Sequence, residues 1–377
     1  MCIRDRPNQV IEAMDNYYKT THANVHRGVY NLSQRATDQF EESRKVMQQF
    51  INAKHDHEVI FTRGTTEGVN LVANCFGRKF LKEGDEVIVT AMEHHSNIVP
   101  WQMACEASGA VLKVVPLNDI GELDFNAFDA LITKKTKIIA VMHVSNSLGT
   151  INPIKDITRV AHSLNIPVLV DGAQATPHMK IDVQELDADF YVFSAHKMYG
   201  PTGMGALYGK EEWLNKLPPY HGGGEMIESC SFEKTTYNVL PFKFEAGTPD
   251  IAGAIGMAAA AKYITEIGHQ AIQMHEHELL EYATEKLSAI KGLKIIGNAR
   301  NKASVISFLI ENTHPYDVGA ILDKLGIAVR TGHHCTQPLM ELMNIPGTVR
   351  ASFGVYNTKE EIDVLVTGVE RAARMLT

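Results

Sequence analysis

The stretch that decides the fold runs from residue 170 to residue 197 and reads VDGAQATPHMKIDVQELDADFYVFSAHK. Two apolar runs, at residues 167–170 and 190–193, predict strands. The first run is followed by Asp171, and the second by the tetrapeptide SAHK, which closes with Lys197. Because parallel sheets present functional groups at the carboxyl ends of their strands, we expect Asp171 and Lys197 to face one crevice.

A carboxylate beside a lysine in such a crevice has the chemistry that pyridoxal phosphate (PLP) requires. The lysine forms a Schiff base, and the acid keeps the pyridinium nitrogen protonated so that the ring withdraws electrons. On Asp171 and Lys197 alone, a surface lysine beside a strand-ending aspartate stays open as the alternative.

The composition excludes several classes of protein. The chain has 377 residues, of which 45% are hydrophobic and 21% charged, so it is long enough for two globular domains. A net charge of −8 and a pI near 6.1 argue against nucleic-acid binding. No apolar run approaches the roughly 20 residues of a membrane span, and there is no signal-peptide pattern. Five scattered cysteines without a CxxC pair fit a reducing compartment, so we predict a cytoplasmic protein.

Strands alternate with helices from residue 58 to about residue 208. This alternation predicts an α/β fold, in which helices cover a mostly parallel sheet. Two long predicted helices, at residues 251–267 and 269–290, then lead into a smaller α+β domain. We predict residues 1–20 as an N-terminal piece of the small domain, 21–260 as the large domain, and 261–377 as the small C-terminal domain.

Three details of the secondary structure are predicted from local signals. Ser33 has the side chain of a helix N-cap, before an apolar stripe of helical period. A helix is expected over residues 68–76, and a strand over residues 327–330.

A glycine turn precedes the helix expected at residues 68–76. Residues 63–67 read Arg-Gly-Thr-Thr-Glu. Free N–H groups and the helix dipole both favour an anion at such a turn, so Thr65 and Thr66 are candidate phosphate ligands. A plain helix start, in which threonine is only the N-cap, stays the alternative.

Histidines occur in adjacent pairs at residues 94–95 and 333–334. Neighbouring side chains on an extended strand point to opposite sides, so neither pair is a natural chelate, and we predict no metal site. One histidine of the first pair is better suited to cap a flat cofactor ring, although both also fit as ordinary loop-end histidines.

The loop from Arg330 to Cys335 reads Arg-Thr-Gly-His-His-Cys. A cysteine beside an arginine and two histidines has an electropositive setting that favours the thiolate, whereas a quiet, half-buried thiol is the alternative. Arg350, on a predicted strand, is able to clamp a substrate carboxylate in bidentate fashion, or to form an ordinary surface salt bridge.

Taken together, the motifs resemble those of the SufS-type (group II) cysteine desulfurases, which belong to the class V aminotransferase family of fold-type I PLP enzymes. The resemblance extends from about Pro7 onward. The motifs that carry it are Arg63-Gly64-Thr65-Thr66-Glu67, Glu93-His94-His95-Ser96-Asn97-Ile98-Val99-Pro100-Trp101, His143-Val144-Ser145-Asn146, Asp171-Gly172-Ala173-Gln174, Ser194-Ala195-His196-Lys197, Gly222-Gly223-Gly224-Glu225-Met226, Glu245-Ala246-Gly247-Thr248-Pro249, and the loop of Cys335.

The resemblance implies a set of PLP-binding residues. Lys197 resembles the Schiff-base lysine, Asp171 the partner of the ring nitrogen, and Gln174 the donor to the phenolate oxygen. His94 is similar to the histidine that stacks on the ring. The residues similar to phosphate ligands are Thr66, Ser194 and His196, with Thr65 beside them among the cofactor-binding residues and Thr248 reaching the phosphate of the neighbouring subunit of a homodimer.

The resemblance also implies the substrate and the reaction. Asn146 and Arg350 resemble the residues that hold the carboxylate of L-cysteine, and Cys335 the nucleophile that accepts its sulfur. Arg330 is similar to a loop arginine near that thiol, and His26 to a histidine at the pocket entrance. The implied activity is that of a sulfurtransferase: L-cysteine becomes L-alanine, and the persulfide passes to a SufE-like or SufU-like acceptor for iron–sulfur cluster assembly.

One departure from the family pattern concerns the N-terminus. The family has a further strand and an Asn-Ala-Ala-Thr-Thr loop before the first helix, whereas residues 1–6 do not resemble it. We therefore expect a truncated N-terminus. Three alternatives stay open: a selenocysteine lyase on the same scaffold, another reaction of that scaffold such as an epimerase or a kynureninase-like hydrolase, and a catalytically impaired sulfur-relay partner.

Overall fold

A seven-stranded sheet forms the centre of the structure, a computed structural model that describes residues 5–376. Its strands, in chain order, are β1 Val59–Thr62, β2 Glu86–Thr90, β3 Val111–Val115, β4 Thr136–Met142, β5 Val168–Asp171, β6 Phe190–Ser194 and β7 Gly205–Gly209. The order across the sheet is β1-β7-β6-β5-β4-β2-β3. Strands β2 to β6 run parallel to one another. At one edge of the sheet, β7 pairs antiparallel with β6, and β1 pairs antiparallel with β7.

Twelve α-helices lie within residues 5–376. They are α1 Asn8–Thr20, α2 Asn31–Phe50, α3 Thr65–Phe80, α4 Val99–Ser108, α5 Phe125–Leu131, α6 Ile154–Ser163, α7 Glu211–Lys216, α8 Ile251–Ile267, α9 His269–Ser288, α10 Pro315–Lys324, α11 Gln337–Leu342 and α12 Lys359–Leu376. None of the helices within residues 5–376 is long and apolar enough to cross a membrane.

Both faces of the large sheet are buried, which is why its central strands are continuous apolar runs. Along β5, Val168 and Val170 belong to a core cluster that also contains buried residues of α2, α6 and α8. Leu169, between them, belongs to the opposite cluster, which contains buried residues of α3 and α4. The predicted α/β fold, with helices over a mostly parallel sheet, is confirmed.

A second, smaller sheet is antiparallel throughout. Its strands are β10 Leu293–Ile296, β11 Val305–Ile310, β12 Arg330–Gly332 and β13 Thr348–Ser352, in the order β10-β11-β13-β12. Its core is shared with buried residues of α9, α10 and α12. A separate hairpin pairs β8 Ile227–Cys230 with β9 Thr235–Tyr237.

The N-terminal helix lies against the helix that leads towards the small sheet. Both α1 and α2 pack against α8. The domain boundaries, including the assignment of residues 1–20 to the small domain, stay a prediction. Residues 1–4 and 377, which those boundaries include, lie outside the described residues.

Three of the local predictions are wrong. Helix α2 begins at Asn31 rather than after Ser33, because the Ser33 hydroxyl donates to the carbonyl of Asn24 instead of capping the helix. Helix α3 begins at Thr65 rather than at residue 68. Strand β12 begins at Arg330, because the N–H of Ile327 closes the end of α10 by donating to Leu322 O.

Candidate active site

A cavity of about 1050 Å³ opens where the parallel strands of the large sheet end, and residues of the small sheet form its other wall. It brings together most of the residues that the sequence singled out. Those that line it are Thr65, Thr66, His94, Asn146, Asp171, Gln174, Ser194, His196, Lys197, Arg330 and Arg350. We call this cavity the cleft.

Asp171 and Lys197 occupy the floor of the cleft at the ends of β5 and β6. Asp171 is the last residue of β5, and Lys197 ends a short 3-10 turn that follows β6. Burial lowers the pKa of Lys197, against the opposing effect of the Asp171 carboxylate. Burial also raises the pKa of Asp171, against the effect of Lys197 and of a hydrogen bond from Ala173 N. The amine is therefore closer to its neutral, basic form than an exposed lysine is.

The start of α3 forms an anion-binding corner beside this pair. Gly64 has a φ of 139°, and a Cβ there would lie 3.1 Å from the Ser194 hydroxyl. That close approach allows Thr65 to bond Ser194 Oγ through both its backbone N–H and its hydroxyl, each at 2.8 Å. Because α3 has 16 residues, its free N–H groups and dipole favour a phosphate at this corner.

His94 projects into the cleft as a neutral imidazole. Burial, followed by the positive charge of Lys197, lowers its pKa to about 4. Its Nδ1 accepts a hydrogen bond from Ser96 N at 3.1 Å, so the ring proton belongs on Nε2. A neutral ring with a free N–H is suited to cover a flat cofactor and to exchange a proton with a bound substrate.

Glu93 fixes the turn that carries His94, a role that no local sequence pattern indicates. Its carboxyl group accepts hydrogen bonds from Thr90 Oγ1, Asn97 Nδ2 and Met142 N at 2.6, 2.7 and 2.9 Å. Burial raises its pKa to about 8. Its side chain therefore joins the end of β2 to the end of β4 beneath the histidine.

Arg350 and Asn146 supply polar atoms that lack partners. Arg350 Nη1 donates to Asn146 O at 2.7 Å. Arg350 Nε and Asn146 Oδ1 are buried, and within the described residues neither has a hydrogen-bond partner. Unpaired buried polar atoms cost free energy, so these two atoms fit a polar ligand in the cleft. Burial, and then the charge of Arg330, lowers the pKa of Arg350 to about 10.

Cys335 lies beside the cleft on the loop between β12 and α11. Arg330 Nη2 approaches its sulfur at 3.4 Å, so a cation faces the thiol as the sequence suggests. Among residues 5–376 no group of three or more His, Cys, Asp or Glu side chains is arranged to hold a metal ion.

Besides Cys335, which lies beside the cleft without lining it, the predicted site residues His26 and Thr248 do not line the cleft in the described chain. His26 bonds Glu41 at 2.9 Å and packs against Phe40 and Phe242. Thr248 lines a separate cavity of about 270 Å³ near the ends of α1 and α8. Its role towards a neighbouring subunit, and the role of His26 at a pocket entrance, stay predictions.

Other residues of the cleft escaped the sequence analysis. Asp5 and Arg6 line it, and Arg6 Nη2 donates to His196 O at 2.9 Å. His178 and Tyr199 also line it, although neither stands in a motif with a chemical reason. The one sequence feature that could have indicated His178 and Tyr199 is their position in the segments that follow Asp171 and Lys197.

The residues present fit a PLP group. A buried lysine faces a carboxylate, a helix N-terminus offers an anion corner, and unpaired polar atoms await a ligand. Lys197 is able to hold the cofactor covalently, Asp171 its ring nitrogen, and Thr65 and Thr66 its phosphate. The fold and the cleft thus define a candidate of the PLP-binding class.

Comparison with known proteins identifies the family. Residues 5–365 match the family described as Aminotransferase class-V. The chain therefore belongs to the class-V aminotransferase family.

Several relatives carry more specific names. The chain is 52% identical over 366 residues to a probable cysteine desulfurase of Halalkalibacterium halodurans, and this alignment covers 97% of this chain and 90% of that protein. It is 49% identical over 372 residues to a cysteine desulfurase of Escherichia coli, with 98% and 91% covered. The crystal structure of the Escherichia coli cysteine desulfurase CsdA superimposes with a TM-score of 0.93 at 40% identity, covering 99% of this chain and 93% of that one.

Proposed function

We propose that this protein is a PLP-dependent cysteine desulfurase of the SufS type, which converts L-cysteine to L-alanine and keeps the sulfur as a persulfide on Cys335. The observation that carries the proposal is the placement of the Cys335 thiol beside Arg330, which lines the same cleft as Lys197 and Asp171. The proposal is also supported by the relatives named cysteine desulfurases, to which the chain is 52% and 49% identical.

Lys197, Asp171 and Gln174 hold the cofactor's reactive carbon, ring nitrogen and phenolate oxygen in this proposal. His94 covers the ring. Bound PLP supplies an electron sink for the pair of electrons left when a bond to Cα breaks. The phosphate is held by the residues of the anion corner, which are Thr65, Thr66, Ser194 and His196, with Thr248 contributed by the second subunit of a homodimer.

The remaining residues of the cleft act on the substrate. Arg350 holds the carboxylate of L-cysteine through Nε, a buried donor that lacks a partner. Asn146 lies beside it at the substrate, where its unpaired Oδ1, an acceptor, suits a donor group of the substrate. The Lys197 amine, with its pKa lowered by burial, removes the Cα proton. His94 moves a proton at the substrate sulfur, and His26 lies at the entrance of the pocket.

Cys335 completes the reaction. Its thiolate, facing Arg330, attacks the substrate sulfur; the new S–S bond forms as the C–S bond of the substrate breaks. The electron pair of that bond and one proton go to the carbon skeleton, and the proton that Lys197 removed is returned to Cα. The skeleton then leaves as alanine, so no external oxidant or reductant is required. The persulfide then passes to a SufE-like or SufU-like acceptor in the cytoplasm for iron–sulfur cluster assembly.

The proposal is tested with the purified, PLP-loaded protein. We expect visible absorbance from the bound cofactor, which Lys197→Ala abolishes. After L-cysteine is added, mass spectrometry is expected to find one extra sulfur on Cys335, together with alanine in solution. A protein that takes up PLP yet releases neither alanine nor sulfide from cysteine in the presence of a reductant would contradict the proposal. Parallel rates on selenocysteine, with and without Cys335, separate a selenocysteine lyase.

A further inference from the structure

The loop that carries the thiol contains two strained residues in succession. We call residues 333–337 the thiol loop. His334 has a φ of 55° and Cys335 a φ of 61°, in the left-handed region that favours glycine. This backbone conformation is strained for a residue with a side chain, so it persists only where surrounding contacts hold it.

One set of contacts comes from the small sheet. The His334 ring is only 2% exposed, and its Nε2 lies 2.8 Å from Thr348 Oγ1 on β13. This contact fixes the loop to its own side of the cleft. It does not determine how far the sulfur stands from groups on the opposite wall.

A second set of contacts crosses to the large sheet. Asn146 Nδ2 donates to His334 O at 2.7 Å, and the hydroxyls of Ser147 and Thr336 lie 2.6 Å apart. These bonds hold the residues on either side of Cys335. They come from the loop after β4, which does not carry His94.

His95 makes two of the crossing contacts and brackets Cys335. Its backbone N–H donates to Cys335 O at 2.8 Å, and its Nε2 accepts from Gln337 N at 3.0 Å. Within residues 5–376, the neighbours His94 and Ser96 line the cleft whereas His95 does not. Its side chain thus serves the thiol loop rather than the cavity.

The turn that carries His95 is itself rigid. Glu93 is 1% exposed and bonds Thr90, Asn97 and Met142, as described above. A hydrogen bond to a residue on this turn therefore attaches the thiol loop to a rigid part of the large sheet.

We propose that His95 is a positioning residue that fixes the Cys335 sulfur relative to the His94 ring. The thiol loop is bonded to His95, and His95 and His94 are adjacent residues of the turn after β2. The inference rests on the proposed function, in which Cys335 attacks a sulfur held under His94. Sulfur transfer requires the reacting atoms at close and aligned approach, so a loosened loop slows that step and leaves cofactor and cysteine binding intact.

A matched pair of variants isolates the side-chain contact. The carbonyl oxygen of Gln in His95→Gln reaches about as far as Nε2 and is able to accept from Gln337 N. The shorter side chain of His95→Asn does not reach it, although it is also polar. His277→Asn, at an exposed histidine paired with Glu281, is the control. His95→Ser, which also lacks the reach, repeats the measurement independently.

The first readout is amide hydrogen exchange in peptides that cover residues 333–340 of the PLP-loaded protein. Loss of one hydrogen bond is expected to speed exchange of the Gln337 segment by up to about tenfold in His95→Asn and His95→Ser. His95→Gln and the control are expected to match the wild type. Unchanged exchange in both short variants overturns the proposal.

The second readout is the rate at which Cys335 gains sulfur from one equivalent of L-cysteine, followed by quenching and mass spectrometry. We expect His95→Asn to slow it several-fold, with the visible absorbance and the KM for cysteine unchanged, and His95→Gln to restore it. Slowing in both variants alike overturns the positioning role. A wild-type protein that gains no sulfur while its exchange pattern follows the prediction overturns the proposed function instead.

Discussion

Arg330 and Arg350 lie directly opposite each other on the antiparallel strands β12 and β13. Side chains at directly opposed positions project from the same face, where two like charges destabilise the pairing. The charge of Arg330 contributes, after burial, to the lowered pKa of Arg350. A cleft wall that keeps two guanidinium groups together has a repulsion that a bound anion relieves. In the proposed reaction, the substrate carboxylate and the Cys335 thiolate are such anions.

Replacing Arg350 with Gln is expected to separate binding from stability. Loss of a charged hydrogen-bond donor to the substrate carboxylate costs about 1.5–3 kcal/mol, so the KM for cysteine is expected to rise roughly 10- to 100-fold. The free energy of unfolding is expected to change by no more than about 1 kcal/mol, because the lost bond to Asn146 O is offset by relief from Arg330. Steady-state kinetics and urea unfolding measure the two quantities.

The control for this variant is Arg159→Gln, at an exposed arginine paired with Asp156. It is expected to alter neither KM nor stability. A KM that stays at the wild-type value in Arg350→Gln would show that the substrate carboxylate is bound elsewhere.

His94 makes stability depend on pH in a defined direction. Its pKa is lowered from 6.5 to about 4, so the unfolded chain binds more protons between these values than the folded one does. Stability is therefore present above pH 6.5 and is lost as pH falls towards 4, with an upper limit of about 3 kcal/mol from this group. His143 and His334, whose pKa values burial lowers to about 4 and about 3, act in the same direction.

Unfolding by urea at pH 7.5 and pH 5.0 tests this dependence. We expect the wild type to lose stability at the lower pH, and His94→Gln to lose less because it removes one titrating group. For each variant, the measured quantity is the difference in the free energy of unfolding between pH 7.5 and pH 5.0. The control is His277→Gln, at an exposed histidine on α9. Equal losses in the wild type and His94→Gln would contradict the assignment of a depressed pKa.

Gly64 is required by both its backbone and its surroundings. With a φ of 139° and Ser194 Oγ 3.1 Å from the position of a Cβ, Gly64→Ala is expected to cost about 1–3 kcal/mol. It also displaces Thr65 N from the anion corner, so the protein is expected to bind PLP more weakly. Thermal unfolding and retention of visible absorbance after gel filtration are the measurements.

Gly222→Ala is the matched control, because nothing lies within 4 Å of a Cβ at that position. It is expected to leave the unfolding temperature and PLP retention unchanged. Full PLP retention in Gly64→Ala would place the phosphate away from the start of α3.

The sequence predicted what local patterns determine. Apolar runs that end in Asp171 and Ser194 specify strands of a sheet buried on both faces, and the structure confirms the α/β fold. Because Asp171 and Lys197 follow these two runs, both residues lie in the cleft. The roles of the two residues towards a cofactor stay a prediction.

The remaining features arise from contacts between residues far apart in the chain. Nothing near Glu93 announces that Met142 N will bond it, and the left-handed backbone of Cys335 has no glycine to mark it. The residue pattern alone did not separate His94 from His95, and the family resemblance selected His94. The structure shows that His94 lines the cleft, whereas His95 bonds Gln337 N, a contact that no local pattern indicates.

A buried ion pair joins α2 to the turn that carries Thr248. Arg44 and Glu245 form two parallel hydrogen bonds of 2.7 and 2.8 Å, and Glu245 also accepts from Phe61 N at 2.7 Å. The Arg44 side chain is 2% exposed and that of Glu245 is 8% exposed. The two groups are thus removed from water, and the neighbouring carboxylates raise the pKa of Arg44 against the effect of burial.

Glu245→Gln is expected to lower the free energy of unfolding by about 3–5 kcal/mol, because it leaves a buried guanidinium without its countercharge. Asp15→Asn, at an exposed pair with Lys19, is expected to cost less than about 1 kcal/mol. Urea unfolding compares them. If Glu245→Gln cost no more than Asp15→Asn, Glu41, which also bonds Arg44, would be sufficient to neutralise the guanidinium, and the turn of Thr248 would not depend on this pair.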